Sequence, residues 1–128
     1  MKKILFILIL LLSFTNLFSQ DFDTTLVEDK PTEDVFQSVQ KMPTFPGGVL
    51  KMNEFINKNI LKNSAQGFVY VHFIITDKGL IQNVIVDKGL NELSNKEAIR
   101  IVKLMPNWIP GEQNGKKVNV CYYLKIKF

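Results

Sequence analysis

The chain has 128 residues, 46% of them hydrophobic and 22% charged, which is room for one small domain and no more. Removing Lys2 and Lys3 of the extreme N-terminus from the 16 basic residues leaves 14 against 12 acids, an excess too small to imply a nucleic-acid partner. Cys121 is the single cysteine, so an internal disulfide is excluded and the fold must rest on its apolar core.

MKKILFILILLLSFTNLFSQ has the build of a secretory signal peptide, residues 1–19: Lys2 and Lys3 form a basic start, Ile4 to Phe14 an apolar centre, and Leu17-Phe18-Ser19 a cleavage site. The apolar run from Ile4 to Leu12 is about half of the roughly 20 residues that a spanning helix needs, so cleavage is expected over an inner-membrane anchor. Residues 20–41, QDFDTTLVEDKPTEDVFQSVQK, hold six acids and two lysines. Their low hydrophobicity, together with Pro31, predicts an acidic flexible leader on which Val35-Phe36 and Val39 alone offer docking points. Residues 42–128 reverse the balance, with 12 cations and six acids, and form the predicted domain.

That domain opens on MPTFPGG, where Pro46, Gly47 and Gly48 set the start of a helix. Val49, Met52, Ile56 and Ile60 fall at i, i+3, i+7 and i+11 and make one stripe, with Phe55 beside it. In GFVYVHFIITDKGLIQNVIVDKG, Val69, Val71, Phe73 and Ile75 alternate with Phe68, Tyr70, His72 and Ile74 before Asp77-Lys78-Gly79. The pattern is a β-hairpin with Gly at a left-handed position. Its second strand, roughly Ile81 to Asp87, alternates less strictly and leaves room for a bulge near Gln82 or Asn83. A second helix follows: Ser94 and Glu97 form a capping box, Ala98, Ile101, Val102 and Met105 a buried stripe, and Pro106 the stop. In MPNWIPGEQNGKKV, Pro106 and Pro110 fix two φ angles while Gly111 and Asn114-Gly115 turn the chain. Trp108, held between them, is expected to plug the core.

VNVCYYLKIKF closes the chain. Val118, Val120, Tyr122, Leu124, Ile126 and Phe128 share one face of a strand, and Asn119, Cys121, Tyr123, Lys125 and Lys127 the other. The elements therefore run helix, strand, strand, helix, strand: an α+β fold with two helices on one face of a three-stranded antiparallel sheet in the order 2-1-3. Strands two and three are then edges, and Lys125 and Lys127 stand where an edge is normally guarded.

MPTFPGG, GFVYVHFIITDKG, KEAIRIVKLMP, NWIPGEQNGKKV and YYLKIKF together resemble the TonB C-terminal domain family, in the form common in the Bacteroidetes. The resemblance implies the same two-helix, three-stranded sheet. It also implies a periplasmic protein-binding module in TonB-dependent transport, which grips the TonB box of an outer-membrane receptor as a strand added beside its last strand. On this implication Asn119, Cys121, Tyr123, Lys125 and Lys127 are the partner-binding residues. Two positions differ from the usual pattern: Lys62-Asn63-Ser64-Ala65-Gln66-Gly67 replaces a Tyr-Pro-x-x-Ala segment, and Lys125 replaces a proline. A complete energy transducer of this kind resembles a transmembrane helix followed by a long proline-rich span. Here a signal peptide precedes a tether whose mean reach is only roughly 25 Å, so a soluble periplasmic domain is expected, with an anchored transducer if the signal is retained.

Chemistry has little support. His72 and Cys121 project from the same face, but no third group orients them, and the pair is two ligands short of a usual metal site. Gly47-Gly48 lacks the remainder of a phosphate-binding motif. No catalytic residue, metal or cofactor is expected. Two functions survive: strand-addition binding to a receptor or another exported protein, and a structural or accessory envelope role as a homodimer through the same edge.

Overall fold

The structure, a computed structural model, describes residues 34–63 and 65–128. The expected signal peptide and residues 20–33 of the acidic leader lie outside the described residues. The elements are β1 (Val35–Phe36), α1 (Val49–Asn59), β2 (Phe68–Ile75), β3 (Ile81–Lys88), α2 (Glu92–Leu104), β4 (Gly111–Gln113) and β5 (Lys116–Lys127).

Alternation in the sequence becomes alternation in space. Val69, Val71, Phe73 and Ile75 of β2 are at most 1% exposed. Leu124 and Ile126 of β5 and Phe128 just after it join them, and Met52 and Ile56 of α1 and Ala98, Ile101 and Val102 of α2 belong to the same cluster. Both helices thus cover one face of the sheet, as expected. Val49 does not belong to the α1 stripe: it is 61% exposed.

Within the sheet, β3, β2 and β5 are antiparallel neighbours in the expected 2-1-3 order. The expectation of only three strands, all antiparallel, is corrected by β1 and β4. β1 runs parallel to β5 at Asn119 and Val120, and β4 pairs with Lys116 to Val118 through the Asn114-Gly115 turn. The sheet is therefore mixed. Neither added strand has a periodic signal, being two and three residues long.

The hairpin between β2 and β3 closes with Gly79 N–H donating to Thr76 O at 2.9 Å and Thr76 N–H to Leu80 O at 2.8 Å, the three-residue loop with a left-handed glycine. Gly79 is required twice over. Its φ is +79°, and a Cβ there would stand 2.0 Å from the Trp108 carbonyl oxygen. The expected bulge is present at Asn83, whose φ is 53° and where the pairing steps from His72–Ile85 to Ile74–Gln82; a second shift lies between Tyr70 and Val71.

α2 begins earlier than the capping box predicts. Asn91 is the N-cap, its side chain accepting from Ser94 N–H at 2.8 Å. Ser94 is instead fully buried and its Oγ accepts from Asn63 Nδ2. Glu97 binds Arg100 and the Leu61 N–H rather than the helix start. Asn is as good a cap as Ser, and the earlier start buys α2 another turn. Met105 ends it before Pro106, as expected.

Trp108 is 3% exposed and sits in an aromatic cage, with ring centroids 4.8 Å from Tyr122, 5.7 Å from Phe45 and 5.8 Å from Phe73. Backbone bonds zip the stretch beyond it to MPTFPGG: Thr44 and Ile109 exchange bonds at 3.0 and 2.8 Å, and Lys41 and Glu112 at 3.1 and 2.8 Å. Pro106 is exposed and Pro110 half-buried at the two ends of this ramp, while Gly111 is buried beneath Val120. Pro46 and Gly47 turn the chain into α1, and Gly48 is its N-cap with φ 86°.

Candidate functional site

β5 carries the candidate site, and its register with β2 decides which backbone groups are free. Gly67 and Phe128 exchange both backbone bonds, at 3.2 and 2.8 Å. They form a hydrogen-bonded pair, and in an antiparallel ladder such pairs alternate with unbonded ones. The unbroken register from Phe68–Lys127 to Ile75–Val120 then turns the N–H and C=O of Ile126, Leu124, Tyr122 and Val120 towards β2. Those of Lys127, Lys125, Tyr123, Cys121 and Asn119 point away. The five expected partner-binding residues are thus the ones with outward backbone groups, yet they are not equally available. β1 pairs with Asn119 and Val120, and a parallel strand bonds to the neighbours of its partner residue, here Asn119 and Cys121. The strand is therefore not one long free edge. Among the described residues, what stays open is Tyr123, Lys125 and Lys127, all exposed, whereas Asn119 and Cys121 are buried. Asn119 Oδ1 also accepts from Asp77 N–H at 2.9 Å, tying β5 to the hairpin turn.

The two sheet edges differ. β5 pairs with β2 with no shift over eight residues, while β3 is broken by two register shifts. Bulges twist an edge and spoil it as a template.

On the face away from the helices, side chains of β2, β3 and β5 form an open groove of about 390 Å³, lined by Tyr70, Asp87, Lys88, Tyr123 and Lys125 among others. Lys125 Nζ lies 4.0 Å from the Phe68 ring centroid and 5.9 Å from that of Tyr70, and Lys88 Nζ 5.8 Å from Tyr70, distances at which a ring face attracts an ammonium. His72 Nδ1 is 2.6 Å from Asp87 Oδ1, and its ring packs on Tyr123 at 5.6 Å. Tyr123 Oη donates to Gln37 Oε1 at 3.0 Å. Its phenol is held above the ordinary tyrosine value, first by a hydrogen bond with Cys121 and less by the Asp87 charge. His72 and Cys121 are one step apart in register, since His72 faces Tyr123 and Cys121 faces Ile74. Asp87 does orient His72, but the buried thiol is not its partner. Among the described residues no group of three His, Cys, Asp or Glu side chains could hold a metal ion. On the helix face, a cavity of about 100 Å³ lies beside β5, lined by Pro43, Phe45, Val49, Met52 and Tyr122 among others.

Sequence reasoning singled out the β5 residues but not Phe68, Tyr70, Asp87 and Lys88. For Phe68 and Tyr70 the signal was the aromatic half of the β2 alternation, on the sheet face away from the helices; Asp87 and Lys88, at the end of β3, carried none.

Fold and edge together define a two-helix, mixed-sheet domain whose last strand keeps a regular margin that no described residue pairs. The family described as "Gram-negative bacterial TonB protein C-terminal" matches residues 58–128, over half of the chain, and the chain belongs to that family. No curated protein and no solved structure matches it. The family is non-enzymatic and transport-associated, and its members generally interact with outer-membrane receptors. Membership gives the chain a TonB-like role in TonB-dependent transport and an envelope location. Among the described residues no helix is long and apolar enough to cross a membrane.

Proposed function

We propose that this protein is a periplasmic binding module, exported through its signal peptide, that takes a TonB-box-like segment of an outer-membrane receptor as a strand added beside Tyr123, Lys125 and Lys127. One observation carries the reading: β3 is broken by register shifts, whereas the part of β5 beyond β1 is regular, and among the described residues its open donors and acceptors belong to those three exposed residues. Main-chain bonds supply affinity and side-chain pockets selectivity in this mode of recognition. Up to six bonds at about 0.5–1.5 kcal/mol net give roughly 3–9 kcal/mol before association costs, which corresponds to a micromolar or weaker complex. Benzoylphenylalanine placed at Lys127 in cells is expected to crosslink to the periplasmic N-terminal segment of a receptor, and the same group at Gln82 on β3 is not. Crosslinks from Gln82 alone would move the site to the other edge.

A further inference from the structure

We infer that the open edge of β5 selects its occupant by charge: it admits a strand with acidic residues at alternate positions and turns away a second copy of this chain. The inference rests on the strand-addition reading and adds the chemistry of the partner.

In β5 the same residues present both the free backbone and the charge. Tyr123, Lys125 and Lys127 direct their N–H and C=O outward and their side chains to the face away from the helices. A strand joining them in antiparallel register sets one of its own residues directly opposite each, about 5.5 Å away at Cα, with side chains on that same face. Among the described residues the charge there is not neutralised. Among the described residues the ion pairs are Lys51–Glu54, His72–Asp87, Lys96–Glu92 and Arg100–Glu97, so Lys88, Lys125 and Lys127 have no carboxylate partner. Asp87, on the same face, is occupied by His72 at 2.6 Å. Aromatic faces hold Lys125 and Lys88 in place without cancelling their charge.

A second copy meets this arrangement badly. The antiparallel register that uses all three open residues of both copies sets Lys125 opposite Lys125 and Tyr123 opposite Lys127, and like charges directly opposite destabilise a strand pair. Acidic residues at those positions turn the repulsion into attraction. The intervening residues of the added strand fall on the helix face, beside Leu124, Ile126 and the cavity lined by Pro43, Phe45, Met52 and Tyr122, where apolar side chains fit. Acidic and apolar residues in alternation are thus the pattern the edge reads.

Three fluorescein-labelled octapeptides, identical except for Glu, Thr or Lys at alternate positions between valines, test this by fluorescence anisotropy on the purified protein. Affinity should fall in the order Glu, Thr, Lys, with at least about a tenfold span at low salt from two charge pairs changing sign. The span should narrow in high salt. The K125E/K127E double variant should invert the order. Tyr123→Pro should weaken all three peptides, whereas unspecific attraction to a basic protein would survive it. Equal affinity for the three peptides overturns charge selection and leaves strand addition standing. Binding of none overturns strand addition itself, and the inference with it. A stable wild-type dimer in sedimentation that Tyr123→Pro disperses overturns the exclusion of a second copy.

Discussion

Proline placed at adjacent residues of β5 separates the roles of its two sets of backbone donors. The Leu124 N–H points to Val71 and the Tyr123 N–H points outward, by the register of β5 with β2 and the Gly67–Phe128 bonds. Leu124→Pro deletes a ladder bond and strands a buried acceptor, for about 1–3 kcal/mol, and removes much of a side chain that is only 9% exposed, for about 2 kcal/mol or more. The sum is a large part of the roughly 5–15 kcal/mol that holds a small domain together, so this variant should be largely unfolded. Tyr123→Pro removes a donor that has no partner in the strand ladder, and the residue before it, Tyr122, is already extended as proline requires. Its cost in stability should be about 1 kcal/mol. Binding is where it should fail, at least tenfold, because one bond of the new ladder is missing and the proline ring occupies the margin the partner approaches. Urea melts followed by circular dichroism report stability, and titration with a synthetic copy of the receptor segment captured from Lys127 reports binding. Tyr123→Ala controls for loss of the ring. A folded Tyr123→Pro protein with full binding would place the site elsewhere, and a Leu124→Pro protein as stable as wild type would refute the alternation on which the assignment depends.

Trp108→Ala should cost about 3–5 kcal/mol in denaturant melts, since it empties the cage of Phe45, Phe73 and Tyr122. Trp108→Phe should cost less than about 1.5 kcal/mol, because the indole Nε1 is buried without a hydrogen-bond partner and phenylalanine removes that donor with the lost volume. Gly79→Ala should destabilise by more than about 2 kcal/mol, having both a positive φ and the Trp108 carbonyl in its way, while Gly115→Ala, with φ +75° and open space around it, should cost about 1 kcal/mol. Glu97 is held below the ordinary carboxylate value chiefly by its hydrogen bond with Arg100, with the Leu61 N–H adding. Its contribution is therefore fully present above the unfolded value of about 4.5 and is lost as pH falls through the lower folded value; Glu97→Gln should flatten that part of the stability curve measured by melts from pH 6 to 3. Export by signal cleavage predicts an intact mass beginning at Gln20 in the periplasmic fraction, and a chain retaining Met1 in the membrane fraction would point to the anchored form.

How far the sequence revealed this molecule depended on the length of each signal. Eight alternating residues in β2 and eleven at the end of the chain fixed two strands, their buried faces and their neighbours, because period-2 burial has no competing explanation over that length. Gly79 marked the loop through a backbone conformation that few residues accept, and the weaker alternation of the second strand marked the bulge that the structure places at Asn83. Trp108 declared itself by the prolines around it. Short pairings left no such mark. Val35-Phe36 is two residues of β1, and Gly111-Glu112-Gln113 reads as a turn although it is a strand with partners on both sides. These two elements decide how much of β5 is paired, so the sequence named the strand proposed here without showing which end of it β1 covers. Ser94 and Glu97 misled because their spacing matches a cap while tertiary contacts claim both side chains.

The placing of β5 also governs when the protein can fold. It is the last of the described elements, yet β1, β2 and β4 all pair with it, and the zipper that flanks it joins Lys41 to Glu112 and Thr44 to Ile109. Without β5, β2 and β3 have only their own hairpin, and an isolated hairpin is marginal in water. The helices meanwhile have no complete surface to cover. Closure must wait for contacts between residues far apart in the chain, the condition under which folding is slow. Losing Ile126 and Phe128, both buried, should accordingly prevent folding altogether rather than trim its stability.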